Sequence, residues 1–391
     1  MSRYHSYLNS ATTILSAYEG EEPFASFIKK YFSQHKKFGS KDRKQVSHLC
    51  YSYFRLGKAL PAMAVEERIL IGLFLCSHQT NEVLQELKPE WNERVTSSVS
   101  EKQKLLGLAF SLLDIFSGEN ELSDSIDKEA FILSHLEQPD LFLRLRPGKE
   151  NIVKQKLTKA AISFQNITDN CISLPNSSGI DGLILLDKEA IVQDYSSQRV
   201  GEFMEVVRQT ISDPLLLRVW DCCAASGGKS IMVKDILGDM DLIVSDVRES
   251  ILINLQNRFL AAGIKNYESF IADLSTPLVI SLSTFNLIIA DVPCTGSGTW
   301  GRTPEQLYYF DEKKIEGYTA LQKKIISNIM FQLEPEGYLL YITCSVFKRE
   351  NEEVVEFIKE KFNLGIIKME LIKGYDKKAD TMFAALLKKN K

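Results

Sequence analysis

Two spacings of apolar residues divide the chain. From the N-terminus to about residue 138 they recur at helical intervals. Val46, Leu49, Cys50 and Tyr53 stand at i, i+3, i+4 and i+7, which puts them on one helix face. Glycine is sparse here, and Pro23 and Pro61 sit between apolar runs. Residues 117–129 are acidic and contain glycine, so an exposed loop is expected there. The character then changes. Leu141, Leu143 and Leu145 alternate with Phe142 and Arg144 ahead of a Pro147-Gly148 turn. That alternation predicts a strand, within a small mixed α/β segment over 139–190.

From residue 191 to 391 strands alternate with helices. An apolar run from Leu215 to Cys223 leads through Gly227-Gly228 into a helix. Asp241–Asp246 is a second strand, with a helix to about Ala262 behind it, and Ser269–Asp273 is a third. Phe285–Ala290 is continuously apolar apart from Asn286, as a parallel strand covered on both faces should be. Tyr338–Thr343 is a fifth, followed by a helix over Glu350–Phe362. Two apolar segments, Leu364–Ile372 and Met382–Leu387, come last. Repeated βα units predict a doubly wound α/β sheet, preceded by an all-helical domain over 1–138 and the small segment over 139–190.

Composition narrows the function classes. Of 391 residues, 45% are hydrophobic and 25% charged, as in ordinary globular proteins. The longest apolar runs, Ile69–Cys76 and Leu105–Phe116, fall short of the ~18–20 residues of a membrane span. No signal peptide pattern is present in MSRYHSYLNS, so a cytoplasmic protein is expected. Seven cysteines include no CxxC pair, and no histidine stands at metal-ligand spacing from one. A disulfide framework and a metal site are therefore not expected. The net charge of −4 speaks mildly against nucleic acid, yet seven basic residues (Lys29, Lys30, Lys36, Lys37, Lys41, Arg43 and Lys44) crowd around Asp42. They form either a solvated helix end or a phosphate-contacting patch.

In a doubly wound sheet, ligands bind beyond the carboxyl ends of the strands. The stretch Asp221-Cys-Cys-Ala-Ala-Ser-Gly-Gly-Lys-Ser230 lies there, and its small residues let backbone N–H groups approach a ligand. A triphosphate loop would need glycine where Cys223 stands, and the GxGxxG of dinucleotide folds is absent. S-adenosyl-L-methionine remains as the expected cofactor. Cys223, Ala224, Ala225, Ser226, Gly227, Gly228 and Lys229 would wrap it. Asp246, at the end of the second strand, would accept from its ribose hydroxyls, unless it serves only as a helix N-cap.

Two cysteines follow two strands expected to be neighbours, Cys294 in Asp291-Val-Pro-Cys294 and Cys344 in Thr343-Cys344-Ser345. A lone cysteine usually packs in a core, but two at adjacent strand ends beside polar residues point to chemistry. Methylating carbon 5 of a pyrimidine needs such a thiol. A thiolate adding to carbon 6 makes carbon 5 nucleophilic, and one hard step becomes two. A free thiol has a pKa of about 8.5, so a nearby cation should favour the thiolate. Asp291 could hydrogen-bond the base or contact the cofactor's amino group.

At these residues the sequence resembles the Sun/nucleolar-protein family of RNA cytosine-5 methyltransferases. The resemblance rests on the Asp221–Ser230 loop, on Asp291-Val-Pro-Cys-Thr-Gly-Ser-Gly298, and on Tyr341-Ile-Thr-Cys-Ser345 followed by Glu350-Asn-Glu352. Gln193–Gln198 resembles the opening helix of the catalytic domain and Met382–Lys388 its closing strand. The N-terminal half resembles the bacterial branch with a NusB-like RNA-binding domain, most clearly at Phe38–Lys44 and Tyr51–Arg55, and Leu141–Arg146 resembles its joining strand.

The resemblance implies a Rossmann-like catalytic domain, small-subunit (16S) ribosomal RNA as partner, and a monomer. It makes Cys344 the nucleophile and Cys294 the thiol that assists release, the reverse of DNA cytosine methyltransferases. It places Lys229 near the reacting centre, Asp273 near the adenine, and Asp291 between cofactor and cytosine. Three positions depart from the family pattern. Ser226 replaces a proline, Ile251 an arginine (with Arg248 nearby), and Gly301-Arg302 two basic residues. A non-catalytic assembly factor, or methylation of another RNA, is the competing reading.

Overall fold

The computed structural model describes residues 2–107, 111–210, 217–278 and 283–391. Residues 108–110 of the apolar run Leu105–Phe116, and Leu215 and Leu216 at the head of the first predicted strand, lie outside the described residues. The chain forms two compact units. One comprises Met1–Asn120, Asp127–Gln138 and Thr299–Glu312; the other comprises Glu121–Ile126, Pro139–Gly298 and Lys313–Lys391.

The first unit is helical. Helices Arg3–Ser16, Phe24–Gln34, Ser40–Arg55 and Val65–Cys76 supply most of its core. Val46, Leu49, Cys50 and Tyr53 are all buried, as their spacing predicts. A short helix from late in the chain, Pro304–Tyr309, completes this unit. Its buried Glu305 accepts from the Phe24 N–H at 3.1 Å. The buried Arg55 guanidinium donates to the carbonyls of His135 (2.6 Å), Glu137 (2.8 Å) and Gly301 (3.0 Å).

The expected exposed loop over residues 117–129 is corrected by the structure. Leu122, Ser123 and Ile126 are buried, Leu122 bridges to Phe347, and Glu121–Ile126 belongs to the second unit. The acidic residues set the average polarity of this stretch. Its two aliphatic side chains nevertheless seek apolar cover, and a composition window cannot separate the two.

The second unit holds two sheets. Strands β1 (Leu141–Leu145), β2 (Gln165–Asn166), β3 (Cys171–Leu174) and β4 (Ala190–Val192) form an antiparallel sheet in the order β2-β3-β1-β4. The larger sheet contains β5 (Arg218–Asp221), β6 (Asp241–Asp246), β7 (Glu268–Ile271), β8 (Phe285–Asp291), β9 (Leu333–Thr343), β10 (Leu364–Ile372) and β11 (Met382–Lys389). Its order is β10-β11-β9-β8-β5-β6-β7. The five strands β5 to β9 run parallel, and β11 enters antiparallel between β9 and β10. Strand order therefore reverses at β5, with β6 on one side and β8 on the other. Ligands bind at such a switch point. The two final apolar segments are strands, and one of them lies inside the sheet, which explains why Ala384–Leu387 are fully buried.

The small sheet is tied to the large one by buried charge. Arg144 and Arg146 on and after β1 both reach Asp235 on helix Gly228–Leu237, at 2.7 and 2.6 Å. Only 7% of the Asp235 side chain is exposed, so removing it strands two guanidinium groups. D235A is expected to lose about 3–5 kcal/mol of unfolding free energy, measured by urea denaturation. A loss below 1 kcal/mol would contradict this assignment.

Candidate active site

The loop after β5 is built by its neighbours on both sides. The Cys222 N–H donates to Ile289 O of β8 at 2.9 Å, and the Ala224 N–H to Ser245 O of β6 at 2.9 Å. Trp220 Nε1 donates to Ser245 Oγ, which donates in turn to Cys222 O. Ala225 then adopts φ +45 and Gly227 φ +81. At Gly227 a side chain is excluded twice over, because a Cβ there would stand 2.7 Å from the Phe259 ring. Helix Gly228–Leu237 begins at once, so its first N–H groups face the loop.

Asp246 ends β6 and is nearly buried. One carboxylate oxygen accepts from the Ala225 N–H at 3.0 Å, the other from Arg248 N and Nε at 3.0 and 3.2 Å. Arg248 occupies the N-cap position of the following helix, Glu249–Ala262, so Asp246 is not its N-cap. Asp273 stands apart. It is exposed beyond β7, and its carboxylate accepts from the Ser275 N–H at 2.9 Å.

Lys229, Asp291, Cys294 and Cys344 come together. Lys229 Nζ lies 2.5 Å from Asp291 Oδ2, and only 11% of the lysine side chain is exposed. Burial works to lower this ammonium's pKa, but Asp291 first, then Cys344 and Asp221, outweigh it and the net shift is upward. Both cysteines are half-buried. The Cys294 thiol is pushed well up by its hydrogen bond to the Cys344 thiol, then by burial, with Glu350 adding to the shift. The two thiols thus meet asymmetric surroundings: a lysine beside Cys344, a carboxylate and the other sulfur beside Cys294.

Residues 216–387 match the family model described as 16S rRNA methyltransferase RsmB/F. Among curated relatives, ribosomal RNA small subunit methyltransferase B of Enterobacter sp. (strain 638) is 30% identical over 174 residues, covering 44% of this chain and 39% of that protein. Ribosomal RNA small subunit methyltransferase F of Shewanella loihica is 27% identical over 39% of this chain and 32% of that one. Human tRNA (cytosine(72)-C(5))-methyltransferase NSUN6 is 27% identical over 37% and 33%. The chain thus spans about a third of the length of the curated relatives it matches. In fold, it resembles the crystal structure of PH0851 (TM-score 0.68, 15% identity, 97% of both chains). It also resembles NSun6 from Pyrococcus horikoshii with SFG (TM-score 0.60, 14% identity, 70% of this chain and 97% of that one).

Ser226, expected from the resemblance to stand in place of a proline, has its own support. Arg258 Nη1 donates to Ser226 O at 3.0 Å and to Ser226 Oγ at 2.9 Å, while the same guanidinium pairs with Asp187 at 2.7 Å. An ion-paired arginine holds the loop where a proline ring would have restricted it. Nothing in the spacing of the sequence joins 187, 226 and 258. Arg248, near the departure at Ile251, is mostly exposed and turned back onto Asp246.

Three further residues of the site were not singled out from sequence. Asp221 is fully buried. Its Oδ2 accepts from Ser230 Oγ at 2.6 Å, and its Oδ1 is buried without a partner. Glu350 and Asn351 sit in a quoted motif, but what they touch is invisible in it. Glu350 Oε1 accepts from the Thr295 N–H and from Gln322 Nε2, both at 3.0 Å; its Oε2 accepts from the hydroxyls of Thr295 and Ser345. Asn351 bonds Thr343 Oγ1 at 2.6 Å and donates to Ser345 O at 2.9 Å. Gly298 closes the assembly: its N–H donates to Cys344 O at 2.8 Å, and a Cβ there would lie 1.9 Å from Thr381 O.

Burial, with Asp291 and Asp246 behind it and Ser230 opposing, raises Asp221 from 3.8 to about 7. Protonation therefore favours the folded chain. That stabilisation is complete below about pH 4 and lost as pH climbs through about 7. An asparagine cannot titrate. The unfolding free energy of D221N relative to wild type is expected to rise between about pH 5 and pH 8. A difference that stays flat over this range in denaturant titrations would show Asp221 ionised throughout.

Proposed function

We propose that this chain transfers a methyl group from S-adenosyl-L-methionine to carbon 5 of a cytosine in 16S ribosomal RNA, with Cys344 as the attacking thiol. The observation that carries the reading is the convergence of two half-buried cysteines and an ion-paired lysine at a switch point of the sheet.

The residues present suit the cofactor. The Ala224–Gly228 loop offers small side chains and a helix N-terminus, and Asp246 offers carboxylate oxygens for ribose hydroxyls. Within the crevice Asp246 and Asp291 outnumber Lys229, so it favours a ligand carrying a sulfonium and an ammonium. Bound there, the cofactor supplies an electrophilic methyl group. Asp273 is the residue on the adenine side, although its exposed position gives it the loosest hold.

Lys229, ion-paired with Asp291, is the cation on the Cys344 side of the site. The thiolate adds to carbon 6 of the cytosine, and a carbon–sulfur bond forms. Asp291, held by Lys229, accepts from the exocyclic amino group and orients the ring. Carbon 5, now electron-rich, takes the methyl group. Its hydrogen then leaves as a proton taken up by solvent water, the C5–H electron pair re-forms the ring double bond, and the carbon–sulfur bond breaks to return Cys344 as the thiolate. Cys294, whose thiol keeps its proton, stands where it can assist that release.

The helical unit is the NusB-like RNA-binding part in this reading. Lys29, Lys30, Lys36, Lys37, Lys41, Arg43 and Lys44 are all exposed and would meet phosphates. Among the described residues no helix is long and apolar enough to cross a membrane. A cytoplasmic monomer acting on ribosomal RNA fits these features.

C344A should abolish tritium transfer from labelled cofactor to 16S RNA, while C294A should accumulate a covalent protein–RNA complex on denaturing gels. Full activity in C344A with loss in C294A would move the nucleophile to the arrangement of DNA enzymes. Charge reversal at Lys36 and Lys37 should weaken RNA binding and lower the salt slope of log K by about 1–2. An unchanged slope would return these lysines to the role of a solvated helix end.

A further inference from the structure

Glu350 has no part in the chemistry above, yet it touches both halves of it. Thr295 directly follows Cys294 and Ser345 directly follows Cys344. One fully buried carboxylate accepts hydrogen bonds from both, taking the N–H and hydroxyl of Thr295 and the hydroxyl of Ser345. Gln322 adds a second tie. Its amide donates to Glu350 and also to Pro293 O, on the other side of Cys294, each at 3.0 Å. Tyr341 OH fixes the Glu350 carbonyl at 2.7 Å. Burial raises the carboxyl's pKa, opposed by the hydrogen bonds from Ser345, Thr295 and Gln322.

β8 and β9 bring the two cysteine-bearing turns to one crevice but do not set the distance between them. Beyond the last paired residues the Gly298 N–H to Cys344 O bond ties the turns four residues past Cys294, whereas Glu350 ties them at the immediate neighbours of both sulfurs. We propose that Glu350 is the positioning residue for the reaction: it staples the Cys294 turn to the Cys344 turn and so sets the separation of the two sulfurs. This rests on the two-thiol reading of the site. Both steps that involve sulfur need it, because a misplacement of about 1 Å can cost about a hundredfold in rate. A carboxylate suits the task, since it alone among side chains accepts from four donors at once. Glutamine conserves the staple in part. Its oxygen can take the two N–H donors while its amide donates to the two hydroxyl oxygens.

The thiol separation can be read without any methylation. Dibromobimane becomes fluorescent only when two thiols displace its two bromides, forming two carbon–sulfur bonds. The signal that disappears in C294A reports the Cys294–Cys344 pair. In the full-length chain, E350A is expected to cross-link at least about tenfold more slowly and to lose about a hundredfold in kcat on 16S RNA transcript. Its affinity for S-adenosylhomocysteine should stay within about threefold of wild type, and E350Q should recover cross-linking to within about threefold. The T295V/S345A pair, which deletes both hydroxyls and leaves Glu350 in place, should slow cross-linking as well; it carries the test if E350A does not fold. Wild-type cross-linking rates in E350A, or in T295V/S345A should E350A fail to fold, would overturn the staple. So would a parallel collapse of cofactor binding. A wild-type protein that cross-links but never methylates RNA would instead sink the proposed function and leave the staple standing.

Discussion

The parallel pairing of β8 with β9 is the constraint on which the site depends. It sets Asp291 opposite Ile342. From that register Cys294 follows three residues after Asp291, and Cys344 two residues after Ile342. Because sheet side chains alternate, a slip of one residue would turn one of the two strand ends to the opposite face. The register is held by burial on both sides: Leu287, Ile288, Ile289 and Ala290 face Tyr338 to Tyr341, and all are buried. The insertion of β11 on the far side of β9 removes any exposed edge at which that pairing could fray.

Around this frame, charge is arranged in opposition. Lys229 projects from the first turn of the helix after the cofactor loop and pairs with Asp291 at the end of β8. It thereby links the loop to the strand that bears one thiol, and it lies beside the other thiol. Glu350 sits behind the pair, among hydroxyls and amides. A cation near one sulfur and an anion near the other divide the surroundings of two chemically identical side chains. Low local dielectric strengthens this division, because neither charge is bathed in bulk water.

The loop that would receive the cofactor is held more by long-range partners than by its own sequence. Ser245, Ile289 and Asp246 take its N–H groups, and Arg258 takes its carbonyl at Ser226. Ala225 and Gly227 both sit at positive φ, which such external bonding can sustain. Ser226 is thus part of an ion-paired brace reaching Asp187, rather than a slack point.

By itself the sequence determined the alternation of strands and helices, the small-residue loop, and the presence of two cysteines behind two apolar strands. These are local properties: periodicity, side-chain size and position within a few residues, all legible along one dimension. The core face of Val46, Leu49, Cys50 and Tyr53 was legible for the same reason. Only the tertiary structure decided that the two thiols converge and that Glu350 spans their turns. It alone placed Arg258 on Ser226, buried Leu122 and Ile126 inside an acidic stretch, and assigned Thr299–Glu312 to the helical unit. Each of these joins residues far apart in the chain through hydrogen bonds, ion pairs or packing. No periodicity encodes such contacts, because their free energy is realised only once the backbone has folded around them.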